Sequence, residues 1–167
     1  MERSNRRAGI GYDAHSLVPG RRLVLGGIII PFEKGLNGWS DADVLTHAII
    51  DALLGAAALG DIGSHFPPGE PEYGNISSLA LLEKVRGKLA EGGWQTGNID
   101  ATIVAEKPRL SQFIDGMREK LGQALGIDAS QVSIKASTAD GLGFIGRVEG
   151  IAAMAVALIE RGKGESI

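Results

Sequence analysis

The stretch GIGYDAHSL, residues 9–17, constrains the fold more than any other part of the sequence. Within what reads as a strand it sets two good metal ligands, Asp13 and His15, two positions apart. A strand sends residues i and i+2 to the same face, so both side chains point one way and can reach a single point. The fold therefore needs a strand with one polar, ligand-bearing face.

Composition narrows what that face can serve. At 167 residues the chain fits one domain, 1–167, able to bury roughly two thirds of its unfolded surface. A net charge of -3 without a long basic run argues against a nucleic-acid surface, while short Arg and Lys clusters suffice for a phosphorylated small molecule. The expected partner is small and anionic. Without cysteine there is no disulfide framework, thiolate nucleophile or Cys-based zinc finger, so any metal falls to His and carboxylate. Arginines open the chain in MERSNRRAG, but Asp13 arrives before an apolar export segment can form. No run reaches the ~18 apolar residues of a membrane span. The expectation is a soluble cytoplasmic protein that engages neither membrane nor nucleic acid.

Along the chain, Ala8 to Asp13 and Arg22 to Ile30 read as strands, with Gly26 and Gly27 as a bend. Ser40 with Asp43 resembles a capping box, and DVLTHAIIDALLGAAAL is helical until Gly60. DIGSHFPPGEPEYGN is too long for a plain connection and reads as a lid or substrate loop. Ser77 to Glu91 is an amphipathic helix, NIDATIVA a strand, Gln112 to Leu125 a helix and VSIKAS a strand. TADGLGFIGRVEG reads as a Gly-rich loop, and both ends as frayed. GIAAMAVALIE is ambiguous, because alanine favours helix while the apolar content suits a buried strand. The mixture indicates an α/β or α+β sandwich.

Three constellations carry chemistry. His47 lies on the first helix with Asp43 and Asp51 one turn either side. If that helix packs beside the first strand, Asp13, His15 and His47 form an N/N/O set with room for a fourth ligand, and Asp51 or Asp43 could orient the His47 ring. The alternative is a polar strand end and a helical histidine that satisfies a neighbour. Second, KASTADGLGFIGR offers the hydroxyls of Ser137 and Thr138, the Asp140 carboxylate and close backbone approach to phosphate oxygens; alone it could equally be a connection. Third, AEKPRLS could present backbone groups to a flat base, or be a Pro turn. Phe144 and Arg147 place an aromatic and a guanidinium together, for a diphosphate or a subunit contact.

In this order, GYDAHSL, LVLGGIIIPFEKGL, WSDADVLTHAIIDALLGAAALGDIGSHFP, IDATIVAEKPRL and IKASTADGLGFIGRVEGIAAMAVALI resemble the 2-C-methyl-D-erythritol 2,4-cyclodiphosphate synthase family of the non-mevalonate isoprenoid pathway, across about Gly9 to Ile159. The resemblance implies a four-stranded mixed sheet with helices on one face, GIAAMAVALIE as a strand, and a homotrimer with active sites between subunits. It implies a divalent metal, usually zinc, on Asp13, His15 and His47, and Mg²⁺ or Mn²⁺ held by Asp140. The implied reaction cyclises 4-diphosphocytidyl-2-C-methyl-D-erythritol 2-phosphate and releases CMP.

The same resemblance implies residue roles. Asp13, Ala14, His15, Trp39 and Ser40 meet the phosphate end of the substrate, with Trp39 and Thr138 as catalytic positions. Asp61, Ile62 and Gly63 meet the erythritol, under a loop of Phe66, Pro67, Pro68, Gly69 and Glu70. Ala105, Glu106, Lys107, Pro108, Arg109, Leu110 and Ser111 take the cytosine, while Ser137, Thr138, Ala139 and Asp140 take the phosphates. Phe144 and Arg147 line a central cavity of the trimer, where an isoprenoid diphosphate binds. Two positions depart from the family pattern. Trp39 stands where histidine is frequent, and an indole donates one hydrogen bond but cannot become cationic. Asp140 stands where glutamate is usual, one methylene shorter. Two other readings use the same residues: a zinc-containing trimer that binds CDP-like or isoprenoid diphosphates without turnover, and a mononuclear zinc hydrolase.

Overall fold

The computed structural model describes residues 5–162. Residues 1–4 and 163–167, where most of the frayed ends were expected, lie outside the described residues. Strand β1 (Arg6–Pro19) is longer than the expected Ala8 to Asp13. Its alternation explains its glycines. A Cβ at Gly9 would stand 2.1 Å from the Ala52 carbonyl oxygen, and one at Gly11 only 1.9 Å from that of Ala48, both on helix α1 (Val44–Ala57). Gly9, Gly11, Asp13 and His15 share one face, so the glycines bring α1 onto the strand and the two ligands follow along the same line.

Beyond β1 the chain forms a hairpin of β2 (Leu23–Leu25) and β3 (Ile28–Ile30). The expected bend at Gly26 and Gly27 is its two-residue turn, with φ of +57° and +74°. Strand β4 (Lys34–Leu36) then returns to pair with the end of β1, Leu17 opposite Leu36. The helix that follows begins at Val44, and its cap is Asp43 rather than a box opened by Ser40. Asp43 takes the Thr46 amide and hydroxyl at 3.0 and 2.8 Å, and the Gly26 and Gly27 amides at 2.9 and 2.8 Å. Those two turn amides decide between two cap-competent residues.

The lid segment contains α2 (Ile62–His65) and a single 3₁₀ turn, Pro71–Tyr73. Helix α3 (Ser78–Glu91) leads into β5 (Trp94–Val104). Helix α4 (Ile114–Leu125) starts two residues later than expected, because Ser111–Phe113 forms a 3₁₀ turn. Strand β6 (Val132–Ser137), the one-turn α5 (Gly143–Gly146) inside the Gly-rich loop, and β7 (Gly150–Arg161) complete the order.

The main sheet has five strands, β4-β1-β7-β5-β6, where four were expected. Three-residue β4 supplies the difference. Only β5 and β6 are parallel; the other pairs are antiparallel. The ambiguous GIAAMAVALIE is central strand β7. Its small Ala153, Ala155 and Ala157 are buried beneath α1, which packs across β1 and β7. Helix α3 packs against both α1 and β5, and α1 is buried over most of its surface, with Leu45, Ile49, Ile50, Leu53 and Leu54 fully enclosed and only Asp51 and Gly55 reaching solvent. The opposite face of the sheet differs: Ile10, Tyr12, Met154 and Val156 are 73%, 57%, 46% and 48% exposed. Ile10 pairs with Val156 and Tyr12 with Met154, so they form one contiguous apolar patch. No helix among the described residues is long and apolar enough to cross a membrane.

Candidate active site

Where α1 passes the end of β1, three ligand atoms converge. Asp13 Oδ2 lies 2.8 Å from His15 Nε2 and 3.0 Å from His47 Nδ1, and the two ring nitrogens are 3.3 Å apart. Asp13, His15 and His47 are the cluster among the described residues whose atoms could hold a metal ion. Burial works to raise the Asp13 carboxyl, but hydrogen bonds and charge from His15 and His47 outweigh it and hold it well below the ordinary carboxylate range. Burial likewise opposes the charged form of His15, yet Asp13 and the Asn37 carbonyl raise it.

The outward nitrogens of both rings are held as well. His15 Nδ1 is 2.7 Å from the Asn37 carbonyl oxygen, which can only accept, so that nitrogen carries a proton. Neutral His15 then turns a lone pair inward from Nε2. His47 Nε2 faces two hydroxyls, Ser40 Oγ at 3.1 Å and Ser78 Oγ at 3.0 Å. Two imidazoles and a carboxylate aimed at one point, with acceptors behind the rings, fit a divalent cation. The aspartates expected to orient His47 do other work. Asp43 caps α1, and Asp51 accepts the Ile62 amide at 2.8 Å, fixing the start of α2.

Around this cluster lies a cavity of about 340 Å³, lined by Asp13, His15, Gly38, Trp39, Ser40, His47, Ile62, Gly63, Phe66, Pro68, Tyr73 and Leu81. Phe66 is buried and meets Tyr73 edge to face, with centroids 5.4 Å apart, which folds the lid on itself. Trp39 Nε1 donates to the Glu70 carbonyl at 3.0 Å. Its single donor thus holds the lid. Asp61 does not line this cavity; it caps α2, accepting the Ser64 amide and hydroxyl at 2.8 and 2.6 Å. Pro67, Gly69 and Glu70 are exposed on the lid, and the Ala14 amide donates to Asp13 Oδ1 at 2.9 Å.

A second cavity, about 200 Å³, is lined by Ala105, Glu106, Pro108, Arg109, Leu110, Ser111, Ala136, Ser137 and Thr138. Exposed Lys107 precedes a cis peptide to Pro108 and does not line it. Glu106 Oε2 accepts the Ala139 amide at 3.2 Å and the Gly141 amide at 3.4 Å, so this side chain ties the base-sized cavity to the loop bearing Asp140. Asp140 is exposed at φ +53°, and its amide donates to Thr138 Oγ1 at 3.4 Å. Exposed Phe144 packs near Gly150, while Arg147 is bound by Glu149 at 2.9 and 3.1 Å.

The two cavities share no lining residue. Asp13 aligns with Ala153, Ala153 with Ile103, and Ile103 with Ala136, which puts three inter-strand steps, about 14 Å, between the ligand cluster and the Ser137 lip. Sequence reasoning found both groups but missed Ser78, Asp41, Asn37, Tyr73 and Leu81. Ser78 approaches a histidine 31 residues away, and no local pattern marks such a contact.

A sequence profile of the YgbB family matches residues 6–160. A 2-C-methyl-D-erythritol 2,4-cyclodiphosphate synthase from Dehalococcoides mccartyi is 62% identical over 154 residues, 92% of this chain and 98% of that protein. The enzyme of the same description from Moorella thermoacetica is 58% identical over 153 residues, 92% and 94% of the two chains. Among solved structures, IspF from Plasmodium falciparum in complex with CDP superposes with a TM-score of 0.84 at 30% identity, over 97% of this chain and all of that one. The bifunctional IspDF of Campylobacter jejuni gives 0.91 at 37% identity, over 94% of this chain but 42% of that longer protein.

Proposed function

The chain belongs to the YgbB family, and we propose that it cyclises 4-diphosphocytidyl-2-C-methyl-D-erythritol 2-phosphate to 2-C-methyl-D-erythritol 2,4-cyclodiphosphate with release of CMP, as one cyclodiphosphate synthase domain of the non-mevalonate pathway. In this reaction an oxygen of the 2-phosphate forms a bond to the β-phosphorus, and the bond from that phosphorus to the bridging oxygen breaks, leaving CMP. Phosphoryl transfer of this kind asks mainly for an in-line pose and charge neutralisation. The observation that carries the reading is the convergence of Asp13, His15 and His47 within a chain matched by the family profile almost end to end.

Asp13, His15 and His47 would hold zinc and Asp140 would hold magnesium or manganese; bound there, the cations supply positive charge to the 2-phosphate and to the α- and β-phosphates. The remaining roles belong to the chain itself. The hydroxyls of Ser137 and Thr138 are exposed at the lip of β6 and donate to phosphate oxygens, Thr138 at the reacting phosphorus. Glu106 holds the 139–141 turn in place behind them. The cavity at Ala105–Ser111 takes the cytosine, and the erythritol lies against Ile62 and Gly63 beneath the Phe66 to Glu70 lid. Trp39 acts by keeping that lid down over the cavity, which excludes water.

One substrate must reach both cavities, and about 14 Å separates their centres of chemistry within a chain. A homotrimer whose neighbours each contribute one cavity brings the two together. The apolar patch of Ile10, Tyr12, Met154 and Val156 supports this reading, because the helices leave that face uncovered. In the trimer Phe144 and Arg147 face the central cavity proposed for an isoprenoid diphosphate. The proposed setting is the cytoplasm, whose reducing conditions suit a chain without cysteine.

The test is product identification by phosphorus NMR and nucleotide chromatography after incubating the zinc- and magnesium-loaded protein with the authentic substrate. CMP and cyclic diphosphate should appear one for one. Tight CDP binding without CMP release would leave the non-catalytic trimer as the reading, and linear phosphate products would leave the hydrolase.

A further inference from the structure

Behind His47, on the side away from the cavity, a chain of hydrogen bonds leads to a carboxylate. Ser78 Oγ donates to Asp41 Oδ1, and the Ser78 amide donates to Asp41 Oδ2 at 3.0 Å. Ser78 Oγ also lies 3.0 Å from His47 Nε2. A carboxylate oxygen only accepts, so the single hydroxyl proton of Ser78 is committed to Asp41. Toward the ring, Ser78 Oγ is then an acceptor, and Nε2 of His47 must carry the proton. Ser40 Oγ, 3.1 Å from the same nitrogen, already accepts the Ala42 amide at 3.2 Å and is compatible with the same assignment. The lone pair of the neutral ring is thereby placed on Nδ1, the atom that faces Asp13 and His15.

We infer that Asp41 and Ser78 are positioning residues that fix the tautomer and rotation of His47 and so set the metal affinity of the site. Neither lines the cavity. The construction resembles the carboxylate behind a metal-bound histidine, with a serine hydroxyl interposed. It is held from two helix starts. The Asp43 amide donates to Asp41 Oδ1 at 3.2 Å where α1 begins, and Ser78, buried at the first turn of α3, brings the hydroxyl. Binding of α3 against α1 therefore assembles the rear of the site. Without Ser78 the ring keeps Ser40, but the acceptor backed by a carboxylate is gone. The inference rests on the reading of Asp13, His15 and His47 as a metal half-site.

The test uses full-length protein. Zinc affinity is measured by competition with a chromophoric chelator for the parent, Ser78→Ala and Asp41→Asn, and the His47 ring protons are followed by ¹⁵N-edited NMR. The parent should bind one zinc per chain and show a slowly exchanging proton on Nε2. Ser78→Ala should weaken zinc binding by about ten- to a hundredfold and shift that proton. Asp41→Asn, which keeps the shape and removes the charge, should weaken it less, in the same direction, and it stands in should Ser78→Ala fail to fold. Parent-like zinc affinity in both variants overturns the inference while leaving the half-site intact, as does a lowered melting temperature with neither readout moved. A His47 proton on Nδ1 overturns it directly. A parent that binds no zinc removes the half-site reading and this inference with it.

Discussion

Trp39→Ala separates a lid-holding residue from a phosphate-contacting one. Trp39 is 47% exposed, so about half of an indole that buries roughly 200 Å² when enclosed is covered here. Part of that cover is the lid, since the ring approaches Gly74 and its nitrogen donates to Glu70. About 100 Å² at about 25 cal/mol per Å² gives an upper value near 2.5 kcal/mol. The neutral hydrogen bond adds about 1 kcal/mol. Alanine keeps a little of this, and the Asn75 amide still bonds the Trp39 carbonyl at 2.8 Å. The lid should therefore lose about 1 to 3 kcal/mol of closure, or roughly 5- to 150-fold in kcat/KM. Hydrogen exchange at the amides of residues 70–75 should quicken by a similar factor. Trp39→His retains a ring and a donor and should stay near the parent. If Trp39→Ala lowers kcat/KM while exchange in the lid is unchanged, the indole acts on the substrate and the latch reasoning is wrong. If neither changes, Trp39 is a surface residue.

Asp43→Asn leaves one acceptor for four donors at a fully buried position and should cost about 2 to 4 kcal/mol, read as a lowered midpoint in urea; a midpoint equal to the parent's would mean that the hairpin turn is not anchored to α1 by this side chain. Asp140→Asn should leave zinc content unchanged and raise the magnesium concentration needed for half-maximal CMP release several-fold, and an unchanged requirement would remove Asp140 from that role. The double substitution Ile10→Asp with Val156→Asp puts two charges on the uncovered sheet face. Sedimentation should then show the proposed trimer replaced by smaller species, with loss of CMP release, whereas an assembly of unchanged size would place the subunit contact elsewhere.

The sequence made the ligand set legible because two of its three members alternate on one strand and the third lies on a long apolar helix, so a single packing event unites them. Other features depended on distant partners. Residues 34–36, KGL, have no strand signature of their own and become β4 only because the end of β1 offers free backbone groups. Ser40 and Asp43 are both good caps, and the choice between them lies with the Gly26 and Gly27 amides. GIAAMAVALIE resolves as a strand because α1 crosses it closely enough to need alanines, a constraint its own composition cannot reveal. The Asp41–Ser78–His47 contact joins two helix starts and has no local pattern. Asp43 and Asp51 flank His47 in sequence, but their carboxylates go to backbone amides of the hairpin turn and of α2.

The most direct measurement is CMP release by chelator-stripped protein as zinc is returned in the presence of magnesium, for the parent and for His47→Ala. In the parent, CMP should rise with added zinc and level off near one zinc per chain, with one cyclic diphosphate formed per CMP. His47→Ala, left with two ligands, should neither retain zinc through dialysis nor release CMP at that stoichiometry. Parent-like CMP release by zinc-free protein, or by His47→Ala without bound zinc, would contradict the account.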